Sequence, residues 1–294
     1  MNEDYPRTLQ EFERRFSGEQ SCRAYLFSLR WPEGFVCPRC GGKEAWSMSR
    51  GLYLCRNCRY QVSVTAGTIF QGSHLPLTTW FRAMWHVTSQ KNGMSALGLQ
   101  RVLGLGSYKT AWALLHKLRR AMVRPGRDRL RGTVEVDETY WGGEEHGVRG
   151  RLTKQKALLV IAVEHDGEGI GRIRLRRIAD LTKASLHGFV VQGIEPGTTV
   201  RSDGLNAYRE IDGYVHDRHI QRHQSKGEHV LPRVHRVISL LKRWLIGTHQ
   251  EAISHDHLDY YLDEFTFRFN RCKSASRGKL FYRLAQQAMQ VAPV

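Results

Sequence analysis

Four cysteines near the start of the chain have the spacing of a metal site. Cys37, Cys40, Cys55 and Cys58 form two C-x2-C pairs with fourteen residues between them. Each pair places two sulfur atoms within reach of one ion, and a hairpin between the pairs would bring all four together. The alternative is two disulfides or four buried thiols, which the lack of a secretory signal disfavours. We therefore expect a structural zinc ion whose closed sulfur shell leaves no position for a substrate.

Two aspartates follow segments that are predicted to be strands. Asp137 comes after the alternating residues TVEV, and Asp203 comes after TTVRS. Carboxylates at adjacent strand ends can hold Mg²⁺, and two such ions about 4 Å apart can activate a nucleophile for attack on a phosphodiester. Taken singly, each aspartate is equally typical of a turn or of a surface charge. The spacing alone does not couple the two.

A helix predicted over LPRVHRVISLLKRWL contains no carboxylate. Its residues His235 and Lys242 are seven positions apart, which is nearly two turns, so they share one face. That face could present an imidazole to a metal ion and an ammonium group to a phosphate. On the helix alone, a structural histidine and a solvated lysine are the simpler interpretation.

The charge of the chain favours a polyanionic partner. The 294 residues include 45 Lys and Arg against 28 Asp and Glu, a formal net charge of +17. Such an excess favours nucleic acid over an anionic membrane surface. No run of about 18 apolar residues is present, so we expect a soluble cytosolic protein that does not enter a membrane.

The segments that must position these residues fall into four parts. The sequence predicts an N-terminal helical segment over 1–34, a zinc ribbon over 35–70, a helical DNA-binding region over 75–124 and a last domain over 132–294. The third part reads as three helices with a glycine turn before the last, which favours a helix-turn-helix over an ordinary bundle with a basic face. From residue 133 onward, alternating strands and amphipathic helices predict an α/β domain.

The order of these segments resembles a family of bacterial insertion-sequence transposases. The ribbon and the helical region precede VEVDETYWGG, VRSDGLNAY and VHRVISLLKRWLIGTH, and the resemblance covers nearly the whole chain. The DETYWGG and RSDG segments are its most specific parts. The family has a DDE-type catalytic domain of RNase H-like fold after a zinc ribbon. The resemblance thus implies an α/β fold class, with a mixed sheet flanked by helices behind the ribbon and the helix-turn-helix-like region.

Members of that family carry two aspartates, a variable Glu, Asn or His, and then a lysine. Matched residue by residue, Asp137 and Asp203 are the two aspartates, His235 is the variable position, and Lys242 is the lysine. The first three would hold two Mg²⁺ or Mn²⁺ ions, and Lys242 would contact substrate phosphate. Histidine adds no negative charge and is a softer ligand than a carboxylate, so we expect weaker binding of the second ion and readier use of Mn²⁺.

Several neighbouring residues are assigned lesser roles. Glu135 should share a strand face with Asp137 as a secondary acid, and Glu228 is a second candidate for the third ligand. The irregularly spaced histidines after the second aspartate favour a flexible basic loop on DNA over a metal cluster; they are His216, His219, His223, His229 and His235. Acidic residues of the following helix are expected on a solvated face; they are Asp256, Asp259, Asp263 and Glu264.

The resemblance implies a DNA transposase of the bacterial cytosol and nucleoid. It would bind terminal inverted repeats, hydrolyse a phosphodiester at the element's end, and join the freed 3′ hydroxyl to target DNA. Two ends require two active sites, so a homodimer or a larger assembly on DNA is expected. Two alternatives remain open: a zinc-ribbon DNA-binding protein whose RNase H-like domain is inactive, and a structure-specific nuclease of the same fold.

Overall fold

The computed structural model describes residues 3–123, 126–143, 156–220, 230–250 and 253–293. The chain forms two compact units. Met1–Pro125 and Lys273–Val294 make the first, and Gly126–Cys272 makes the second. In the described part of the chain, no helix is both long enough and apolar enough to cross a membrane.

In the described residues, groups of helices and groups of strands follow one another along the chain. The α-helices are α1 (Leu9–Arg15), α2 (Glu19–Arg30), α3 (Leu77–Ser89), α4 (Ala96–Leu103), α5 (Tyr108–Ala121), α6 (Lys183–Gly193), α7 (Pro232–His249), α8 (Leu258–Phe269) and α9 (Arg277–Ala288). The strands are β1 (Ala45–Ser47), β2 (Leu52–Cys55), β3 (Gln61–Ser63), β4 (Thr133–Trp141), β5 (Ala157–Asp166), β6 (Gly169–Ile178), β7 (Thr199–Ser202) and β8 (Val215–Arg218).

An aromatic cluster holds the helices of the first unit together. Its centre is the buried Phe281 of α9, whose ring centroid lies between 5.4 and 6.1 Å from five others, those of Phe12, Phe16, Tyr25, Phe81 and Trp85. Aromatic rings at such separations contribute packing energy beyond their buried area. The last helix therefore belongs to the first unit, whereas the sequence predicted it within a catalytic domain over 132–294.

The zinc ribbon is a small antiparallel sheet in the order β1-β2-β3. Downstream of it, α3, α4 and α5 form the three predicted helices. Gly104 ends α4 in a left-handed conformation with φ of 62°, and the side chain of Ser107 accepts the N–H of Lys109 where α5 begins. This tight connection matches the predicted glycine turn, and it packs α4 against α5.

The second unit is built on a five-stranded mixed sheet in the order β6-β5-β4-β7-β8. β4, β5 and β6 are antiparallel neighbours, while β4, β7 and β8 run parallel. Helix α6 covers one face through Leu186 and Phe189, and α7 and α8 cover the other. This arrangement confirms the predicted α/β fold class, with a mixed sheet flanked by helices.

Alternation along β4 decides which helix each side chain meets. Val134 and Val136 join the cluster under α6, whereas Trp141 joins the cluster under α7. Because successive side chains of a strand point to opposite faces, Glu135 and Asp137 lie on the α7 face.

One predicted loop differs from the structure: residues 215–218 form β8, so His216 lies in a strand paired with β7.

Candidate active site and metal centre

The four cysteine sulfurs of the ribbon lie close enough together to bind one ion. The Sγ atoms of Cys37 and Cys58 are 3.7 Å apart, and those of Cys40 and Cys55 are 3.6 Å apart. A tetrahedral zinc ion with Zn–S bonds of about 2.3 Å requires sulfur separations of about 3.8 Å. All four sulfurs lie within 4.8 Å of one another, and in the described residues no other group of three or more metal-binding side chains does so. The donor set fits a structural zinc ion.

Backbone amides around the first cysteine pair favour the thiolate form. Burial raises the pKa of Cys37, but hydrogen bonds from the N–H groups of Arg39 and Cys40, together with those from the thiols of Cys58 and Cys40, outweigh it and bring the pKa to about 7. Hydrogen bonds to the charged form of a thiol favour that form. The turn thus increases the thiolate fraction of Cys37, and the thiolate is the form that binds a metal ion.

Asp137 and His235 are in direct contact in the second unit. The Nε2 atom of His235 lies 3.1 Å from Oδ2 of Asp137, and Oδ1 of Asp137 accepts the N–H of Glu138 at 2.9 Å. The Asp137 side chain is 15% exposed and that of His235 is 45% exposed, so the pair lies at the border of the protein and solvent. Residues from β4 and α7, far apart in the chain, therefore meet at one place.

Glu135 fixes the position of α7 relative to β4. This fully buried carboxylate accepts the backbone N–H groups of Arg233 and Val234, both at 2.9 Å, in the first turn of the helix. A carboxylate satisfies the free amides there and interacts favourably with the helix dipole. His165 Nε2 at 3.0 Å gives Glu135 a further partner. Glu135 thus acts as a helix cap and orients the turn that carries His235.

Asp203 directly follows β7, the parallel neighbour of β4, and its charge acts on His235. The β4–β7 register pairs Glu135 with Arg201, and continuing it by two residues puts Asp137 opposite Asp203. Oδ1 of Asp203 accepts the N–H of Leu205 at 2.9 Å, which closes the turn after β7. Asp203 directly follows β7, as expected, whereas Asp137 lies in the middle of β4, so the expectation that both aspartates stand at strand ends was wrong for Asp137.

A second acidic residue of β4 ties down the turn after Asp203. The hydroxyl of the buried Tyr208 donates a hydrogen bond to Oε1 of Glu138, which lies on the α6 face of the strand. Burial raises the pKa of Tyr208 well above its usual value, and the charges of Glu138, Asp137 and Asp203 add to the effect. No pattern in the sequence links this pair, because Glu138 and Tyr208 are 70 positions apart.

The carboxylates around His235 favour its protonated form. The hydrogen bond with Asp137 raises the pKa of His235, burial opposes this, and the charges of Asp137, Glu135 and Asp203 add to the rise. The three carboxylates therefore produce a negative potential at the imidazole. Such a potential attracts cations.

Lys242 lies two turns after His235 on α7 and is half-buried. Burial lowers the pKa of Lys242, and the charge of Lys156 lowers it further. Lys156 directly precedes β5, beside the end of β4 at Trp141, which is four residues beyond Asp137. Two lysines that repel each other in this way are suited to sharing an anion.

The structure brings together some of the proposed ligands but does not preform a cage. Asp137 and His235 are in contact, and Asp203 directly follows the adjacent strand, yet in the described residues only the cysteines form a group of three or more close enough to bind one ion.

Glu228, the alternative third ligand, lies outside the described residues, as do His223 and His229. Glu264 is fully buried and bonds Arg268 at 2.9 Å, so the expectation of a solvated face was wrong there.

Two family models match this chain, one in its candidate catalytic-site region and one in its cysteine-containing region. Residues 129–270 match the model of the ISXO2-like transposase domain, and residues 17–61 match that of the transposase zinc-ribbon domain. One similar protein is the "Uncharacterized protein in transposable element ISH50" of Halobacterium salinarum. The two sequences are 27% identical over an alignment of 278 positions, and the match covers 87% of this chain and 92% of the relative.

A solved structure with partial likeness is the cryoEM structure of the simian T-cell lymphotropic virus intasome in complex with PP2A regulatory subunit B56 gamma. The match has a TM-score of 0.32 and 16% identity, and it covers 64% of this chain and 65% of that chain. A likeness at this level supports no inference about this protein.

Proposed function

We propose that this chain, which belongs to the insertion-sequence transposases with an N-terminal zinc ribbon, is an active enzyme that cuts and joins DNA with the help of divalent metal ions. The contact of 3.1 Å between His235 and Asp137, next to Asp203 on the adjacent strand, supports the proposal most directly. An imidazole in contact with one carboxylate, with a second carboxylate just after the adjacent strand, is a donor set that can bind hard and borderline cations.

Asp137, Asp203 and His235 would hold Mg²⁺ or Mn²⁺. When bound, such ions lower the pKa of a water nucleophile and stabilise the charge on the leaving oxygen of a phosphodiester. Two carboxylates and one neutral imidazole form a donor set with less negative charge than three carboxylates. This set therefore favours Mn²⁺ over Mg²⁺ more strongly than an all-carboxylate site would.

The remaining residues orient the substrate and the ligands. Lys242, with Lys156 beside it, would neutralise the backbone phosphate next to the cleavage point. Glu135 and the Glu138–Tyr208 pair would hold α7 and the turn after β7 in register with β4. Positions fixed in this way reduce the reorganisation needed when substrate binds.

The reaction we assign has two steps of the same chemistry. Water attacks the phosphodiester at the end of the element, and the bond to the leaving oxygen breaks to release a 3′ hydroxyl. That hydroxyl then attacks a phosphodiester of target DNA in line, so no covalent bond to the protein forms. The ribbon and the helices α3–α5 would bind the terminal inverted repeats. A dimer or a larger assembly on DNA would act on the two ends.

The test is cleavage of an end-labelled duplex that carries the element's terminal repeat. We expect metal-dependent nicking by the wild type and a loss of at least about 100-fold in Asp137→Asn and Asp203→Asn. The variant His235→Glu should use Mg²⁺ better relative to Mn²⁺ than the wild type does. Lys242→Gln should lose activity, while Lys183→Gln, which removes an exposed lysine paired with Glu210, should not.

Each outcome distinguishes the proposal from its alternatives. Binding without nicking in either metal would favour a DNA-binding protein with an inactive catalytic unit. Cleavage of branched DNA without strand transfer would favour a structure-specific nuclease. If wild type and His235→Glu showed the same metal preference, His235 would be removed from the set of ligands.

A further inference from the structure

The first cysteine pair of the ribbon sits in a tight backbone turn. The N–H of Cys37 donates to the carbonyl of Gly42 at 2.9 Å, and the N–H of Gly41 donates to the carbonyl of Cys37 at 2.9 Å. Gly41 has a φ of 72°, which lies in the left-handed region that favours glycine. This turn therefore has the residue that its backbone conformation prefers.

The second cysteine pair repeats the turn with a different residue at the equivalent position. The N–H of Cys55 donates to the carbonyl of Tyr60 at 2.9 Å, and the N–H of Arg59 donates to the carbonyl of Cys55 at 3.1 Å. Arg59, which corresponds to Gly41, has a φ of 58°. The Cβ atom of an arginine disfavours the left-handed conformation, so Arg59 does not stabilise the backbone of this turn. Such an outlier points to a function of the side chain.

The side chain of Arg59 lies over an exposed tryptophan. Its guanidinium carbon is 4.8 Å from the centroid of the Trp46 ring, and that of Arg56 is 5.2 Å from the same ring. Trp46 is 40% exposed. Arg56 also pairs with Glu44 at 3.0 Å, whereas Arg59 has no acidic partner in the part of the chain that the structure describes. Two positive groups thus contact one ring, and the charge of Arg59 is available to a partner.

A further arginine–aromatic pair links the first turn to the second. The guanidinium carbon of Arg39 lies 6.0 Å from the ring of Tyr60, which is 38% exposed. We name these five exposed residues the arginine–aromatic face: Arg39, Trp46, Arg56, Arg59 and Tyr60. It carries three positive charges, and Glu44 is the carboxylate paired with one of them. Its excess charge is complementary to a phosphate backbone.

We propose that the arginine–aromatic face contacts the backbone of double-stranded DNA and that Arg59 is its central phosphate contact. The proposal rests on the function proposed above and names the surface by which the ribbon would bind DNA. A guanidinium that already lies on a ring loses little freedom when it binds phosphate, and it can donate two parallel hydrogen bonds. This accounts for an arginine where the turn itself prefers glycine.

The variant Arg59→Gly separates the side chain from the fold, because glycine suits the backbone at this position. The full-length, zinc-loaded chain would be titrated with a terminal-repeat duplex and with a scrambled duplex across a salt series. We expect the variant to bind both duplexes about 3- to 10-fold more weakly and to lower the log–log salt slope by about one. Its thermal unfolding midpoint should equal or exceed that of the wild type.

Matched variants make the result decisive. Arg14→Ala removes an exposed arginine of α1 and should leave the salt slope unchanged. Trp46→Ala should weaken binding, and Arg59→Gly should add less in that background, because the ring no longer holds the guanidinium. If the wild type binds DNA and Arg59→Gly binds it equally well, this inference is overturned while the proposed function stands. A lower unfolding midpoint of Arg59→Gly would also overturn this inference, as would a change in self-association without a change in DNA binding. No duplex binding by the wild type would instead contradict the proposed function.

Discussion

The Glu135 carboxylate accepts the backbone N–H of Val234 at 2.9 Å, and this contact joins the central strand β4 to the first turn of α7. Asp137 lies two residues further along β4, and His235 is the residue after Val234. The geometry of the Asp137–His235 pair therefore depends on a helix cap that does not itself touch the imidazole. A buried carboxylate that bonds backbone amides cannot be replaced without leaving polar groups unsatisfied.

We accordingly predict that Glu135→Gln destabilises the second unit by about 2 kcal/mol and lowers DNA cleavage. Glutamine keeps the shape of the side chain but removes the charge that favours the helix N-terminus. Glu164→Gln is the matched control, since Glu164 bonds Arg172 at 2.9 Å on the same sheet and caps no helix. Thermal unfolding and cleavage of the full chain measure both effects. A Glu135→Gln variant with wild-type stability and cleavage would show that the cap does not hold the site.

Short-range patterns in the sequence were enough to predict the ribbon and the α/β fold class. The two C-x2-C pairs need only local turns, and the strand patterns before Asp137 and Asp203 are local as well. The supporting contacts are not local. Glu135 and Val234 are 99 positions apart, and Glu138 and Tyr208 are 70 positions apart. No spacing rule links residues at such distances, so their roles depend on the folded structure.

The same limit explains the last helix. An amphipathic pattern predicts that α9 has a buried face but does not say what covers it. In the structure, Phe281 packs among aromatic residues from α1, α2 and α3, nearly the whole chain length away. Proximity in sequence had suggested the catalytic domain instead.

We predict one zinc ion per chain, held by the four ribbon cysteines. In the zinc-loaded chain, a thiol reagent should label Cys272, which is exposed, and leave the ligands protected. Cys22 should also resist, since burial raises its pKa to about 12. Removing the metal with a strong chelator should make the ligands reactive and unfold the β1–β3 sheet. Cys55→Ser should abolish zinc binding, whereas Cys272→Ser should retain it. Rapid labelling of Cys40 before any zinc release would contradict the site.

Two glycines in helices should respond to alanine in opposite directions. In α9, a Cβ on Gly278 would overlap the carbonyl oxygen of Pro6, and backbone atoms cannot easily move aside. We expect Gly278→Ala to destabilise the first unit by about 2 kcal/mol or more. In α6, a Cβ on Gly188 would meet no atom within 4 Å. Gly188→Ala should therefore stabilise the second unit by about 0.5–1 kcal/mol. Unfolding midpoints that move in the same direction for both variants would contradict this packing.

Asp263 of α8 should make the second unit less stable as the pH rises. Burial raises its pKa to about 7 against the attraction of Arg127, and repulsion from Asp259 adds to the rise. The unfolded chain loses this proton near pH 4, so between about pH 4 and pH 7 the folded state binds more protons and its stability falls as the pH rises.

An asparagine at position 263 would carry no charge, so its burial would not cost the desolvation of a carboxylate. Asp263→Asn should therefore be more stable than the wild type by on the order of 2 kcal/mol at pH 8, even after losing the attraction to Arg127, and no more stable at pH 4. The exposed Asp256→Asn is the control and should show no such dependence. Equal unfolding midpoints of Asp263→Asn and wild type at pH 8 would show that this carboxylate is ionised in the folded chain without cost.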